Sequence, residues 1–187
     1  MRILKWSLPT AALLLTSLAA WNGAGAQVAP ASIGGRPSLY AGGYYSNFDS
    51  DFQQPRLSGL GVYVDWNLFG KLGVEGEARF LRLDQLNSFH SDHYLVGPKY
   101  TLRYGRFHPY VKFLLGAGEV NYPYSLANGG YFAMAPGGGL DYQLSHHFNA
   151  RGDYEYHFWP TAPGLPGMQS NGLTPNGFSV GIGYRIF

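Results

Sequence analysis

The chain has 187 residues with 45% hydrophobic, 17% aromatic and only 13% charged side chains, 13 Lys and Arg against 11 Asp and Glu, and no cysteine. This excludes disulfide staples, thiolate metal sites and thiol chemistry, and supplies no basic patch of the kind nucleic acid requires. With 27 Gly and 12 Pro beside 15 Tyr and 12 Phe, long helices are disfavoured and an all-β chain is expected.

The N-terminus reads as an export signal. Arg2 and Lys5 precede an apolar run from Trp6 to Ala20, and Ala24-Gly25-Ala26 forms a small-x-small cleavage site. The run is shorter than the roughly 20 residues a membrane-spanning helix needs, so residues 1–26 are predicted to be cleaved as a signal peptide. Residues 27–37 then form a short lead, and removal of Arg2 and Lys5 leaves 11 basic and 11 acidic residues.

Beyond the lead, apolar residues recur with period two rather than 3.6, which predicts strands. Eight follow in order: Ser38 to Phe48, Leu57 to Trp66, Leu72 to Leu83, His93 to Arg103, Phe107 to Gly118, Tyr131 to Tyr142, Phe148 to Phe158 and Gly177 to Phe187. Their length exceeds the roughly 5–6 residues of an average soluble strand and fits the roughly 9–11 needed for a tilted strand to cross a bilayer. Connections alternate in length. Long ones run Asp49 to Arg56, Asp84 to Asp92, Glu119 to Gly130 and Trp159 to Asn176; tight ones lie at Asn67 to Lys71, Tyr104 to Arg106 and Gln143 to His147. An up-and-down barrel of the outer membrane has this asymmetry, with the short turns periplasmic.

Successive strand side chains point to opposite faces. One parity carries Leu60, Val62, Val64 and Trp66, Val111, Phe113 and Leu115, and Phe178, Val180, Ile182 and Tyr184. It is aliphatic in mid-strand and aromatic toward the ends, as a lipid-facing band requires. The other collects Asp65, Glu75, Glu77, Arg79, Lys99, Arg103, Lys112, Asp141, Arg151, Asp153, Glu155 and Arg185, six acidic and six basic. Gly59, Gly61, Gly97, Gly116, Gly137 and Gly139 share it, leaving room for long side chains. The first strand is ambiguous because both of its parities are mixed. A soluble barrel would invert this arrangement; the export signal, strand length and aromatic placement favour the membrane, with the twelve charges forming a lumenal network.

The chain closes on FSVGIGYRIF, with Phe187 last. Together with HYLVGPKY (His93 to Tyr100), HPYVKFLLGAG (His108 to Gly118), GGGLDYQLSHHF (Gly137 to Phe148) and RGDYEYHFW (Arg151 to Trp159), this ending resembles the small OmpA-like eight-stranded outer-membrane β-barrel family. The resemblance implies an all-β, eight-stranded antiparallel up-and-down transmembrane barrel from residue 38 to 187, in the outer membrane of a Gram-negative-type cell. It implies Phe187 as the signal read by the barrel-assembly machinery, outer-membrane lipid and lipopolysaccharide as surroundings, and a monomer with no cofactor. Family members usually end Tyr-Arg-Phe; here Ile186 intervenes and places Phe187 on the parity opposite Tyr184.

Several chemistries compete. Glu75 and Glu77, two residues apart, stand roughly 6.6 Å apart along a strand, within the range of an acid/base glycosidase pair; an eight-stranded barrel is just wide enough to be filled by side chains, which favours salt bridges. Lipid A deacylases share the topology and use a membrane-facing His, Ser and Glu. His157 and Ser170 are the matching candidates, 13 residues apart in place of the compact His-x-Ser-Asn arrangement. His90 and His93, around Asp92, and His146 with His147 are expected to be solvated loop groups, too few for a structural metal site. The expected function is a structural or surface-interaction barrel without catalytic residues, with a narrow channel or small-solute binder as alternative.

Overall fold

A computed structural model describes residues 37–49, 56–83, 90–121, 129–160, 162 and 172–187. The predicted signal peptide, nearly all of the lead and most of the four long loops, Ser170 included, lie outside the described residues.

Eight strands run β1 Ser38–Asp49, β2 Leu57–Phe69, β3 Leu72–Leu83, β4 His90–Thr101, β5 Phe107–Asn121, β6 Gly129–Gln143, β7 Phe148–Tyr156 and β8 Asn176–Arg185. Each pairs antiparallel with its neighbour in sequence. β1 pairs with β8, from Tyr40 opposite Arg185 to Asp49 opposite Asn176, and closes the barrel. Closure leaves no unpaired sheet edge, the condition for a strand protein to live in lipid. Pairing continues past β8: the Ile186 N–H donates to the Leu39 carbonyl at 2.8 Å, and the Leu39 N–H to a main-chain carboxylate oxygen of Phe187 at 3.3 Å.

Two of the tight turns have a local cause. Gly70 and Gly105 hold φ of 56° and 61°, each at the first central position of a two-residue link, where the primed turns of tight hairpins require a positive φ. In the second, Tyr104 and Phe107 exchange both backbone hydrogen bonds, at 2.8 and 3.0 Å.

The ends of several elements differ from expectation. β4 begins three residues early, at His90, β5 runs on to Asn121 and β6 starts at Gly129, so the barrel wall extends further toward the long loops than the sequence pattern indicates. Beyond β7, Phe158 bridges to Met134 and Trp159 to Leu173, continuing the wall as isolated pairs.

Alternation of burial fixes which parity faces in. In β2, Gly61, Tyr63 and Asp65 are buried while Leu60, Val62, Val64 and Trp66 are exposed. β1 resolves the same way: Tyr44, Ser46 and Phe48 are buried and Tyr45 is exposed. Among the described residues 29 large hydrophobics stand exposed, as a continuous band rather than the small patches of a soluble monomer.

The interior has three layers. Nearest the turns, Asp65, Glu75, Lys99, Asp141 and Arg151 surround Tyr63 and Tyr110; the middle holds Tyr44, Glu77, Arg79, Lys112, Asp153, Glu155 and His157. Nearest the loops lies an apolar cluster of Phe48, Leu57, Leu81, Leu95, Leu114, Ala133, Ala135, Trp159, Ala162 and Leu173. This layer was not anticipated: its members in β2 to β6 sit on the parity assigned to charges, and Phe48 comes from the first strand, whose parities were left open. The inward glycines serve rings as well as charges. A Cβ on Gly61 would meet the Tyr44 ring and one on Gly118 the Trp159 indole, whereas one on Gly137 would meet Glu155 Cγ at 2.8 Å and Lys112 Cε at 3.3 Å.

Candidate functional site

The densest constellation of chemically active groups is the lumenal ion network, positioned by strand parity. Alternate residues of β3 put Glu75, Glu77 and Arg79 inside; β7 does the same for Arg151, Asp153 and Glu155 on the far wall. β4 and β5 supply one lysine each.

Near the turns Arg151 reaches three carboxylates: its Nε donates to Asp141 Oδ1 at 2.7 Å, Nη1 to Glu75 Oε2 at 2.8 Å and Nη2 to Asp65 Oδ2 at 3.3 Å. Lys99 bridges the same three, at 2.6 Å from Asp65, 3.0 Å from Glu75 and 3.2 Å from Asp141. Aromatic faces complete the cage. The Arg151 guanidinium lies 3.7 Å from the Tyr63 ring centre and the Lys99 ammonium 3.8 Å from that of Tyr110, cation–π contacts strengthened where water is excluded.

One turn further along the barrel, Lys112 Nζ is ringed by Glu155 at 2.6 Å, Asp153 at 2.7 Å, Glu75 at 2.8 Å and Glu77 at 3.4 Å. Arg79 makes a two-pronged contact with Glu155, Nη1 to Oε2 at 2.9 Å and Nη2 to Oε1 at 3.0 Å, and lies 3.2 Å from Glu77. Tyr110 donates its hydroxyl to Asp153 at 2.7 Å. Isolated charges here would be ruinous; shared hydrogen bonds offset their desolvation.

Ten of the twelve predicted network residues are therefore brought together. Arg103 and Arg185 are not: Arg103 is exposed, Arg185 is half-buried, and both line the mouth at the turn end with no side-chain carboxylate partner among the described residues. Their parity points inward, but they lie past the last inward carboxylates, Asp65 and Asp141. The buried set is consequently unbalanced, six carboxylates against four cations, where the sequence suggested six of each. Arg82, on the apolar parity, is exposed and pairs instead with Asp92, its Nε donating at 3.2 Å.

The histidines change role. His93 is 1% exposed and His157 fully buried, their rings 4.9 Å apart. His93 opens the predicted fourth strand on the inward parity of Leu95 and Lys99, and the start of β4 at His90 carries it inside the wall rather than leaving it at the strand's mouth. Ser91 Oγ lies 3.0 Å from His93 Nε2, and His157 Nε2 lies 2.8 Å from Glu155 Oε2. Trp159 meets His93 edge-on at 5.2 Å.

Comparison with known proteins decides what this geometry belongs to. The family model of the outer membrane protein beta-barrel domain matches residues 10–185. The chain belongs to that family. Outer membrane protein beta-barrel domains of solved structure share its architecture. Neisserial surface protein A aligns with a TM-score of 0.59 at 10% identity, over 79% of this chain and 96% of that one. The N-terminal barrel domain of Pseudomonas aeruginosa OprF aligns at 0.56 and 12% identity, over 81% and 100%. Ail, the attachment invasion locus protein of Yersinia pestis, aligns at 0.51 and 19% identity, over 80% and 97%. At these identities the likeness is one of fold. No curated protein sequence matches the chain.

Within this outer membrane barrel the described enzyme candidates do not face lipid, and Ser170 lies outside the described residues. His157 turns into the lumen, against Glu155 and 3.3 Å from Arg79 Nη1. Glu75 and Glu77 are enclosed and tied to Lys99, Lys112, Arg151 and Arg79, which leaves no cleft for a sugar. Among the described residues no group of three or more His, Asp or Glu side chains could hold a metal. Phe187 is exposed, following Ile186, also exposed, out of the last strand.

Proposed function

We propose that the protein is a closed outer-membrane barrel acting as a structural and surface-display element, its four long loops facing the exterior and its lumen sealed. One observation carries this reading: the cross-section is filled twice over, by the ion-paired layers around Lys99, Arg151 and Lys112 and by the apolar layer of Phe48, Leu57, Leu81, Leu95, Leu114 and Trp159. A hydrated ion would have to break buried salt bridges and then cross a dry hydrocarbon layer.

The apolar outer band is solvated by outer-membrane lipid and lipopolysaccharide, Phe187 presents the assembly signal, and the barrel is a monomer. An export signal ending at Ala26 delivers it. These roles rest on the family and on the sequence pattern.

The loop side also has a chemistry. Asp49, Asp51, Asp84, Asp92 and Glu119 stand against Arg56 and Arg82, an excess of acid suited to cationic partners. Ail has been solved with the heparin analogue sucrose octasulfate; the acidic loop side of this chain is the wrong sign for such a ligand.

Planar-bilayer recording tests the sealed-lumen reading. The purified barrel is expected to insert without steady single-channel conductance across ±100 mV, a range on the order of membrane potentials. Reproducible ohmic steps from folded, heat-modifiable protein would favour the narrow-channel alternative.

A further inference from the structure

Outside the lumen the charged side chains of the turn end are of one sign. At the turn end stand Lys71, Arg103, Arg106 and Arg185, and neither the turns nor the strand termini there carry an acidic side chain. The nearest carboxylates, Asp65 and Asp141, lie inside and are already taken by Lys99 and Arg151. Two of the four bases converge on one place: Arg103 and Arg185 line a recess of about 280 Å³ in the barrel mouth with Ser38, Tyr40, His108 and Gln143. It adjoins a deeper chamber that shares Tyr40, Arg103, His108 and Gln143 and adds Thr101, Asn67, Asn149, His146, His147 and the floor carboxylates.

Three features mark the recess as built for a ligand rather than as open rim. Arg103 has no anionic partner among the described residues, and Arg185 gives only its Nε–H, at 3.1 Å, to a main-chain carboxylate oxygen of Phe187, leaving its terminal nitrogens available. The hydroxyls of Ser38 and Thr101 are buried yet make no hydrogen bond, although each belongs to one of the two chambers. Buried polar atoms are ordinarily satisfied, so the Ser38 hydroxyl is a vacant donor in the recess beside the Arg103 guanidinium and the terminal nitrogens of Arg185, and Thr101 is one in the chamber behind it. Asp65 and Asp141 in the floor set the depth, since their charge excludes an anion from the inner chamber and holds it in the outer one. Guanidinium forks and hydroxyl donors suit the oxygens of a phosphate or carboxylate.

We propose that the turn-end recess is an oxyanion-binding site, in which Arg103 and Arg185 grip a phosphate or carboxylate group and Ser38 and Gln143 complete its hydrogen bonds. The site opens on the side that the proposed orientation places in the periplasm. Its ligand is either a free anion there or the headgroup of an anionic phospholipid in the inner leaflet; the chemistry is shared and the test separates the sources.

The protein purified from outer membranes is placed in nanodiscs of zwitterionic lipid and titrated with inorganic phosphate while the arginine Nε–H resonances are followed. A second arm replaces part of the lipid with phosphatidylglycerol and omits phosphate. Saturable shifts of Arg103 and Arg185 with phosphate identify a free-anion site, and shifts only with phosphatidylglycerol identify a headgroup site. Absence of shifts in both arms overturns the proposal. The Arg103→Gln/Arg185→Gln variant is expected to weaken binding about tenfold or more. Lys71→Gln/Arg106→Gln, which removes two charges from the same end outside the recess, is expected to leave it nearly unchanged. Equal losses in the two variants would show diffuse rim attraction and overturn the site. Since Arg103 is exposed, Arg103→Gln alone gives the same reading if the double variant assembles poorly.

Discussion

Replacing Lys112 with methionine is expected to destabilise the folded barrel by about 3–5 kcal/mol, the range for removing one partner from a buried ion cluster. Lys112 touches four carboxylates, Glu75, Glu77, Asp153 and Glu155. Methionine keeps the volume of the stem, so the loss isolates charge from packing. The lumen holds six carboxylates and four cations, and the variant leaves six against three. The imbalance also predicts an asymmetry. Glu77→Gln removes one surplus charge while retaining shape and hydrogen-bonding atoms, and is expected to cost far less than Lys112→Met. Equilibrium unfolding in urea, followed by tryptophan fluorescence in lipid, measures both. Equal costs for the two variants would contradict the charge count.

Trp159→Ala is the second large effect, expected at about 3–5 kcal/mol as for other buried Trp truncations. Trp159 is 1% exposed and closes the apolar layer, edge-on to His93 at 5.2 Å and stacked against Tyr131 at 6.4 Å. Gly118 is the matching notch, since a Cβ there would meet the indole ring. Trp66→Ala supplies the contrast: that side chain is 45% exposed on the outer face, and its loss is expected to be clearly smaller by the same unfolding measurement. A Trp66 loss as large as that of Trp159 would show that the apolar layer is not a packed unit.

Much of this was legible in the sequence because a strand has only two faces. Once Val62 and Val64 are assigned outward, Tyr63 and Asp65 must turn inward, and the same parity carries Glu75, Glu77 and Arg79 to the cations of β4, β5 and β7. Parity does not say how far along the axis a residue lies, which is why Arg103 and Arg185 were grouped with charges they do not reach. Nor does it distinguish apolar residues that face lipid from those that plug the lumen. Leu81, Leu95 and Leu114 occupy the charged parity, and that position was the available signal for the inner apolar layer. It was obscured by the expectation that an inward residue is polar. His93 was expected to be a solvated loop group although it opens the predicted fourth strand on the inward parity; β4 in fact begins at His90, where its backbone still finds a partner in the extended end of β5, His90 opposite Asn121, so His93 lies inside the wall. A pairing between segments some 30 residues apart leaves no mark in local composition.

The central claim is that the two strand parities separate lipid from a sealed lumen, and the two tryptophans downstream of the predicted cleavage site test it most directly. In the exported protein Trp159→Phe leaves Trp66 and Trp66→Phe leaves Trp159, so fluorescence in bilayers of brominated phospholipid reports each face separately. Strong bromine quenching of Trp66 with little quenching of Trp159 is the predicted result. Quenching of Trp159 equal to or greater than that of Trp66 would place the inner layer against lipid and contradict the account.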